Sequence, residues 1–246
     1  MTPYRIYRGV LKRLAGLGGL TLVETAGNPD PLARKCRIWN ERGINLMFDV
    51  GANIGQFGWT IRHAGYSGRI VSFEPLPGPF VHLQRNARES RDWEAHNIAL
   101  GAVPGRAVLH ETSNSESSSF LPLLDRHRQA EPSVTPVGDV EVSVETLATV
   151  WDRHWKPGDQ AFLKVDAQGF ENQILEGAAP VLDRIQGIQL ELSLFEALYE
   201  GEIVFEPMVR RMRDRGFVLH FLEPGFTDRS SGELLQVDAL FLRAKA

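Results

Sequence analysis

A glycine-rich turn between a short apolar run and a helix-forming stretch is the part of this sequence best suited to bind a ligand. Asp49 ends the apolar run, and Gly51, Asn53 and Gly55 follow at every second position. A strand, a tight turn and a helix start in this order hold nucleotide-like ligands in α/β proteins, because the backbone of the turn can approach the ligand closely. The sequence therefore predicts a cofactor site at this turn.

Asn53 narrows the choice of cofactor, because it stands where a dinucleotide fingerprint has its second glycine. Asparagine tolerates left-handed backbone angles, so the turn can still form, while its side chain adds a polar group. S-adenosylmethionine has no phosphate. Its carboxylate can accept hydrogen bonds from amides at the start of the helix, and Asp49 can meet its ammonium group directly or through water. These features favour S-adenosylmethionine over a dinucleotide.

Two later segments extend the predicted cofactor site. Glu74 ends the second predicted strand, about 25 residues after Asp49, which is the position from which a carboxylate binds ribose hydroxyls. Asn97 and Ala99 lie near the end of the third predicted strand, where side chains and backbone can meet an adenine edge. The predicted cofactor-binding residues are Asp49, Gly51, Asn53, Gly55, Glu74, Pro75, Asn97 and Ala99.

Lys164, Asp166 and Glu191 are the predicted catalytic residues. Lys164 and Asp166 alternate along one predicted strand, so their side chains point to one side, about 6.6 Å apart along the strand axis. Burying such groups unpaired is costly, so we expect them at the carboxyl end of the strand, with Glu191 equivalent on the next strand. Asp166 or Glu191 can act as a general base, with Lys164 orienting it or lowering the pKa of an acceptor.

Two other interpretations of these residues stay open at this stage. Asp166 and Glu191 can hold a divalent cation such as Mg²⁺, since hard cations prefer oxygen ligands. Alternatively, Lys164 and Asp166 form an ion pair that only supports the turn. No set of histidines has metal-ligand spacing, so no metal-binding residue is assigned.

Short apolar strand candidates alternate with helix candidates from Asn45 onward, which predicts an α/β fold with a mainly parallel, seven-stranded, Rossmann-like sheet. The strand candidates are Asn45–Val50, Arg69–Glu74, Ala95–Leu100, Ala161–Asp166, Gly187–Leu192, Phe217–Leu222 and Leu235–Leu242. The helix candidates lie near Gln56–Ala64, Pro79–Arg91, Val144–His154, Phe170–Arg184 and Phe195–Arg215.

The last two strand candidates are joined by a short connection rich in turn-forming residues, Glu223–Glu233. Parallel neighbours need a crossover of about a dozen residues or more, so this pair should form an antiparallel hairpin. A parallel sheet that ends in such a hairpin is typical of S-adenosylmethionine-dependent methyltransferases.

A polar segment, Thr112–Gly138, lies between two shorter β-like pieces at Arg106–Glu111 and Val140–Val144. Long loops in compact domains are usually functional or disordered. Its position after the third strand favours a lid over the site. His127 lies in this segment and would act as a base if the lid closed, although a solvated position between Arg126 and Arg128 is the simpler interpretation.

Composition points to a soluble globular protein in a reducing compartment. The 246 residues carry a net charge of −4, which gives no reason to expect a nucleic-acid partner. A single cysteine, Cys36, cannot form an internal disulfide, and no stretch is long and apolar enough to span a membrane. We therefore expect a cytoplasmic protein. We expect the first 42 residues to form a helical extension. The spacing between Tyr4 and Leu17 favours an amphipathic helix over a membrane-surface or dimer contact or a signal peptide.

The ordered set of motifs resembles the FkbM-type methyltransferases. The set comprises Phe48–Gly55, Phe73–Pro75, Asn97–Gly101, Leu163–Glu171, Leu175–Ala178, Glu191–Ser193 and Asp238–Phe241. The resemblance runs from about Asn45 to Arg243 and leaves the N-terminal extension uncovered. Ala167 and Gln168 depart mildly from the family pattern. The resemblance therefore does not define the detailed shape of the acceptor side, although it still implies the cofactor.

The resemblance implies S-adenosylmethionine as methyl donor and a small-molecule or glycan acceptor. The leading prediction is O-methylation of a sugar or secondary-metabolite hydroxyl by a methyltransferase domain at residues 43–246, following the extension at residues 1–42. The alternatives are methylation of a nitrogen or a carboxylate, and an inactive cofactor-binding domain used for assembly. A homodimer is compatible with all of these.

Overall fold

The structure is a computed structural model, and it describes residues 30–244. The predicted amphipathic helix between Tyr4 and Leu17 lies outside the described residues. The first described element is helix α1, Pro31–Glu41. The chain from Cys36 onward folds as one compact unit, which carries all of the elements that follow.

A seven-stranded sheet forms the centre of this unit. Its strands are β1 Leu46–Val50, β2 Arg69–Phe73, β3 Trp93–His96, β7 Ala161–Val165, β8 Ile185–Ser193, β9 Phe217–Pro224 and β10 Gln236–Arg243. They are arranged in the order β3-β2-β1-β7-β8-β10-β9, in which β10 pairs antiparallel with both β8 and β9. The predicted mainly parallel sheet with an antiparallel final hairpin is confirmed.

Helices connect the parallel strands as the alternating pattern predicts. Helix α2 (Gln56–His63) follows β1, α3 (Pro77–Arg88) follows β2, and α5 (Leu147–His154) precedes β7. Helix α6 (Glu171–Gly177) and a 3₁₀ helix (Ala179–Arg184) lie between β7 and β8, and α7 (Phe205–Asp214) precedes β9. No helix of the described chain is long and apolar enough to cross a membrane.

The third strand differs from its prediction. The run Ala95–Leu100 divides after His96, and Ala99–Leu100 forms a separate short strand, β4. This strand joins a second sheet of three strands with β5 (Gly105–Thr112) and β6 (Pro136–Glu145), in the order β4-β6-β5. Apolar alternation marked these residues as extended but could not show which sheet each half would join.

Two helix predictions were too long. The stretch Phe195–Arg215 is helical only from Phe205, because residues 194–204 form a loop that packs Leu198 and Tyr199 inward. The stretch Phe170–Arg184 is broken after Gly177, where a Cβ would lie 1.9 Å from the carbonyl oxygen of Gly101. Tertiary packing outweighs local helix propensity in the first stretch, whereas in the second Pro180, at the start of the 3₁₀ helix, cannot continue the α-helix.

The segment predicted as a lid or as disorder has defined structure. It contains a 3₁₀ helix at Ser115–Ser117 and helix α4 at Asp125–Ala130. The connection between β5 and β6, residues 113–135, is called the bridging segment below. It pairs with the loop after β8 through the bridge between Leu123 and Tyr199.

The two faces of the large sheet differ in chemistry. Residues at alternate positions such as Phe48, Leu163 and Leu190 belong to one buried apolar cluster. The other face places Asp49 beside Ser72 and Lys164, and Lys164 beside Gln189, in one row across four strands. Because side chains alternate along strands, this polar row occupies a single face near the carboxyl ends of the parallel strands, where α/β sheets place ligand sites.

Candidate functional site

The turn after β1 has the backbone conformation that its sequence demands. Gly51, Asn53 and Gly55 all have left-handed φ angles, of 71°, 47° and 95°. A Cβ on Gly51 would lie 1.8 Å from the carbonyl oxygen of Asp166, so only glycine fits there. Asn53 stabilises its own conformation, because its Oδ1 accepts a hydrogen bond from the amide of Ile54 at 2.9 Å.

Asp49 lies directly beneath this turn and is fully buried. Its Oδ2 accepts a hydrogen bond from Ser72 Oγ at 2.9 Å, and Ser72 in turn accepts one from Trp93 Nε1 at 3.0 Å. Its Oδ1 lies 3.4 Å from Lys164 Nζ. Asp49 therefore supports the turn from below, and in this conformation it is not exposed to a ligand above the turn.

Glu74 fastens the turn to the end of β2. Its carboxylate accepts hydrogen bonds from the amides of Asn53 and Leu76, both at 2.8 Å. Burial raises the pKa of Glu74 to about 7, although both amide donors act in the opposite direction. The carboxylate retains acceptor capacity for a ligand hydroxyl, since it has about four lone-pair positions.

Asn97 closes the same corner of the site. Its Nδ2 donates to the carbonyl oxygens of Glu74 at 2.9 Å and Pro75 at 3.0 Å. Ala99 is buried in β4 among apolar residues of the small sheet. The structure thus groups Asp49, Gly51, Asn53, Gly55, Glu74, Pro75 and Asn97 around one turn, which we name the turn side of the site.

The bridging segment covers the turn side. Asn53 Nδ2 donates to Ser115 Oγ at 2.9 Å, and Gln56 Nε2 donates to Glu116 Oε1 at 2.7 Å. These bonds connect residues about sixty positions apart in the chain. Such contacts cannot be predicted from the spacing of residues in the sequence.

Lys164 links the turn to the next group of acids. Its ammonium group is buried, donates to the carbonyl oxygen of Gly51 at 3.1 Å, and lies 3.4 Å from a carboxylate oxygen of Asp49 and of Asp166. Burial alone would lower the pKa of Lys164, but the Asp166 and Asp49 carboxylates together raise it above its ordinary value. Lys164 is therefore a fixed cation rather than a base.

A network of side chains lies on the other side of Lys164. Gln168 has a left-handed φ of 55°, and its Nε2 donates to Asp166 Oδ1 at 2.8 Å and to Glu191 Oε2 at 2.6 Å. Its Oε1 accepts a hydrogen bond from Tyr199 Oη at 2.5 Å. We name Asp166, Gln168, Glu191 and Tyr199 the network side of the site.

Glu191 has a strongly perturbed environment on the network side. Burial raises its pKa well above the ordinary value, and the neighbouring Asp166 and Asp238 carboxylates raise it further. Asp238 stands directly opposite Glu191 in the register of β10 and β8. Three carboxyl groups thus meet at the carboxyl ends of β7 and β8, next to the buried ammonium group of Lys164.

His127 corrects one expectation. It is buried between the rings of Tyr199 and Phe226, with centroids 5.5 and 5.3 Å away, rather than solvated. Burial lowers its pKa, so the ring is neutral at physiological pH. His127 packs behind Tyr199 and supports the network side without entering it.

The structure brings together all three predicted catalytic residues and adds four that were not predicted. Ser72 and Trp93 support Asp49, while Gln168 and Tyr199 join Asp166 to Glu191. A polar Ser72 within an otherwise apolar strand was a usable signal. The suggestion of a divalent cation gains no support, since within residues 30–244 Asp166 and Glu191 are not part of a three-ligand group with donor atoms within 4.8 Å.

A glycine-rich turn after the first strand of a parallel sheet that ends in an antiparallel hairpin defines the Rossmann-like fold of methyltransferases. The sequence profile of the methyltransferase FkbM domain matches residues 49–219, and the chain belongs to this methyltransferase family. The resemblance noted from the motifs is therefore confirmed.

Individual relatives are distant. Methyltransferase 1 of Beauveria bassiana (strain ARSEF 2860) is 24% identical over 147 residues, which cover 54% of this chain and 58% of that protein. The crystal structure of methyltransferase FkbM from Methylobacillus flagellatus KT is 13% identical with a TM-score of 0.49, covering 81% of this chain and 43% of the other. A Burkholderia thailandensis 1,6-didemethyltoxoflavin-N1-methyltransferase, solved with 1,6-didemethyltoxoflavin and S-adenosylhomocysteine, is 9% identical with a TM-score of 0.46, covering 100% of this chain and 92% of the other. The chain thus spans only about half the length of the first two proteins.

Proposed function

We propose that this methyltransferase uses S-adenosylmethionine to methylate a hydroxyl group, with a sugar or secondary-metabolite hydroxyl as the acceptor. The turn side fits the donor. Its left-handed backbone at Gly51 leaves no room for a Cβ, and Glu74 directly follows β2, a position from which a carboxylate can accept hydrogen bonds from ribose hydroxyls. When bound, S-adenosylmethionine supplies a methyl group on a sulfonium, which is a good leaving group.

The observation that carries the choice of a hydroxyl is the group of carboxyls at Asp166, Glu191 and Asp238. A hydroxyl is weakly acidic and needs a base as it attacks, and a carboxylate whose pKa is raised above its ordinary value is a stronger acceptor for that proton. An acceptor carboxylate would be repelled by three acids. An acceptor amine would be held there as its ammonium form, which is not nucleophilic.

We assign the general base to Glu191, because burial and the neighbouring Asp166, Asp238 and Glu171 carboxyls all raise its pKa. Gln168 orients Glu191 and Asp166 by donating to both through one amide nitrogen. Lys164 acts through other groups, since its ammonium is enclosed by Asp49, Asp166 and the carbonyl of Gly51. The hydrogen bonds from Gln168 hold the carboxyl groups in a fixed geometry, which aligns the acceptor for in-line attack.

An inactive domain that only binds the cofactor is the competing hypothesis. A domain that only binds the cofactor has no use for a group of acids around one lysine. Keeping them would lower its stability for no gain, because charges removed from water without full compensation are destabilising. Methylation of a nitrogen or a carboxylate would need an acceptor pocket with a different balance of charge.

The test separates donor binding from acceptor chemistry. Calorimetric titration with S-adenosylhomocysteine should show one site per chain, and absence of binding would overturn the donor assignment. A donor-turnover assay over a panel of sugar, phenol, amine and carboxylate acceptors should favour hydroxyls. Preferred turnover of amines or carboxylates would reject the acceptor assignment while leaving the donor assignment intact.

A further inference from the structure

A second cluster of polar side chains lies outside the site, where the edge strand β3 approaches the end of helix α5. Glu94 and His96 are two positions apart on β3, and His154 is the last residue of α5. Each offers one donor atom within 4.8 Å of the others. Glu94 Oε2 lies 3.8 Å from His96 Nε2 and 3.5 Å from His154 Nδ1.

The two histidines have the properties of metal ligands. His96 Nε2 is buried and has no hydrogen-bond partner among the described residues. Their positions are fixed by packing, because His96 stacks on Phe73 at 5.5 Å and His154 meets the ring of Phe48 at 6.5 Å.

The surrounding charges leave room for a cation. Two arginines near the histidines, Arg153 and Arg69, would oppose a bound metal if they were unpaired. Arg153 forms an ion pair with Glu145, and Arg69 forms one with Asp159. Glu94 offers a carboxylate oxygen within 3.8 Å of both imidazoles, and its side chain is 57% exposed and free to adjust.

We propose that Glu94, His96 and His154 form a binding site for a divalent transition-metal ion, with Zn²⁺ as the best-fitting ion. Two imidazoles and one carboxylate are a common zinc ligand set, and tetrahedral ligation at about 2.1 Å places ligand atoms about 3.4 Å apart. The two distances to Glu94, 3.5 and 3.8 Å, are already close to this value.

The ion would join an edge strand to a helix end and thereby act on the methyltransferase site. His96 directly precedes Asn97, whose side chain holds the carbonyl oxygens of Glu74 and Pro75. A metal bound at His96 fixes the residue beside this corner of the turn side. The site is thus structural, and its existence does not depend on which acceptor is methylated.

The test uses the tag-free 246-residue chain, treated with chelator and then dialysed. Titration with Zn²⁺ should show one high-affinity site per chain, and Co²⁺ should give the intense visible absorption of a tetrahedral complex. Glu94→Gln and His96→Gln should each weaken Zn²⁺ binding on the order of 100-fold, since every ligand contributes a share of the binding free energy. His110→Gln is the matched control, because His110 pairs with a single carboxylate, Asp139, and should leave binding unchanged.

Either of two results would overturn the proposal. One is a wild-type affinity for Zn²⁺ weaker than about 100 μM, which corresponds to adventitious surface binding. The other is equal affinity in the wild type, Glu94→Gln and His96→Gln. Glu94 is exposed, so Glu94→Gln should keep the wild-type fold, and a circular dichroism spectrum and thermal unfolding curve recorded without metal verify this.

Discussion

The turn side and the network side of the site are held by different kinds of interaction. The turn side depends on backbone conformation within a few consecutive residues, with left-handed angles at Gly51, Asn53 and Gly55. The network side depends on side chains from separate segments, in which Gln168 joins Asp166, Glu191 and Tyr199. A change on the turn side should therefore act through folding and cofactor binding, whereas a change on the network side should act on turnover.

The largest effect is expected from Gly51→Ala, which tests the backbone constraint. The new Cβ would lie 1.8 Å from the carbonyl oxygen of Asp166, and the alanine would have to adopt the left-handed φ of 71°. Strain and the displaced turn should cost about 3–5 kcal/mol of unfolding free energy. Calorimetric titration should show loss of S-adenosylhomocysteine binding.

Gly65→Ala is the matched control for Gly51→Ala. Gly65 also has a left-handed φ, of 93°, but no atom lies within 4 Å of the position that a Cβ would occupy there. Thermal unfolding should show a cost of only about 1–2 kcal/mol, with cofactor affinity unchanged. Equal effects of the two substitutions would mean that the close approach to Asp166 is unimportant.

Glu191→Gln is expected to have the next largest effect, on turnover alone. Removing a general base lowers kcat on the order of 100- to 10,000-fold. Single-turnover assays with an active acceptor measure this, and titration should show S-adenosylhomocysteine affinity within about twofold of the wild type. Glu196→Gln, on the exposed loop after β8, should leave both quantities unchanged. An unaltered kcat in Glu191→Gln would move the base to another residue.

Tyr199→Phe should have a smaller effect, because it removes one donor from the network without removing a carboxylate. Loss of the hydrogen bond to Gln168 Oε1 should lower kcat about tenfold, which is the usual scale for one buried hydrogen bond. Tyr66→Phe is the control, since Tyr66 is also buried but its hydroxyl donates weakly, at 3.5 Å, to the carbonyl of Arg69. If kcat fell equally in both variants, a general loss of packing would explain the result.

The smallest effect is a pH dependence on the turn side. The pKa of Glu74 is about 7, so its carboxylate loses acceptor capacity as the pH falls through this value. Affinity for S-adenosylhomocysteine should rise about fourfold from about pH 6.5 to about pH 8, and this rise should be absent in Glu74→Gln. If the wild-type affinity did not change with pH over this range, ionisation of Glu74 would have no part in cofactor binding.

The pH dependence of stability has the opposite sign to that of cofactor affinity. Because burial raises the pKa of Glu74 above its ordinary value of 4.5, protonated Glu74 favours the folded state. Its contribution to the unfolding free energy is therefore present at low pH and is lost as the pH rises toward about 7. Chemical denaturation of the ligand-free wild type and of Glu74→Gln between these values checks the direction.

The turn side could be predicted from sequence because its causes are local. Glycine and asparagine at fixed spacing specify left-handed angles, and the acids at the ends of two strands follow from strand order. The seven-stranded sheet and its antiparallel hairpin followed from the alternation of strands and helices and from one short connection.

The network side could be predicted only in part, because its causes are tertiary. Lys164 and Asp166 could be placed by strand alternation, but Tyr199 lay in a stretch whose composition suggested a helix. His127 lay between two arginines and gave no sign of burial. Such residues are positioned by packing between segments that are distant in the chain, and no local pattern records that packing.

The bridging segment, residues 113–135, connects the two sides physically. Ser115 accepts a hydrogen bond from Asn53, and Ser119 Oγ donates to the carbonyl oxygen of Gln168 at 2.7 Å. A ligand that binds on one side and shifts this segment changes the binding free energy of a ligand on the other side. The second ligand changes the binding free energy of the first by the same amount, since thermodynamic coupling is reciprocal. Donor and acceptor are thus expected to report on each other's occupancy, with a degree of cooperativity set by the hydrogen bonds of Ser115 and Ser119.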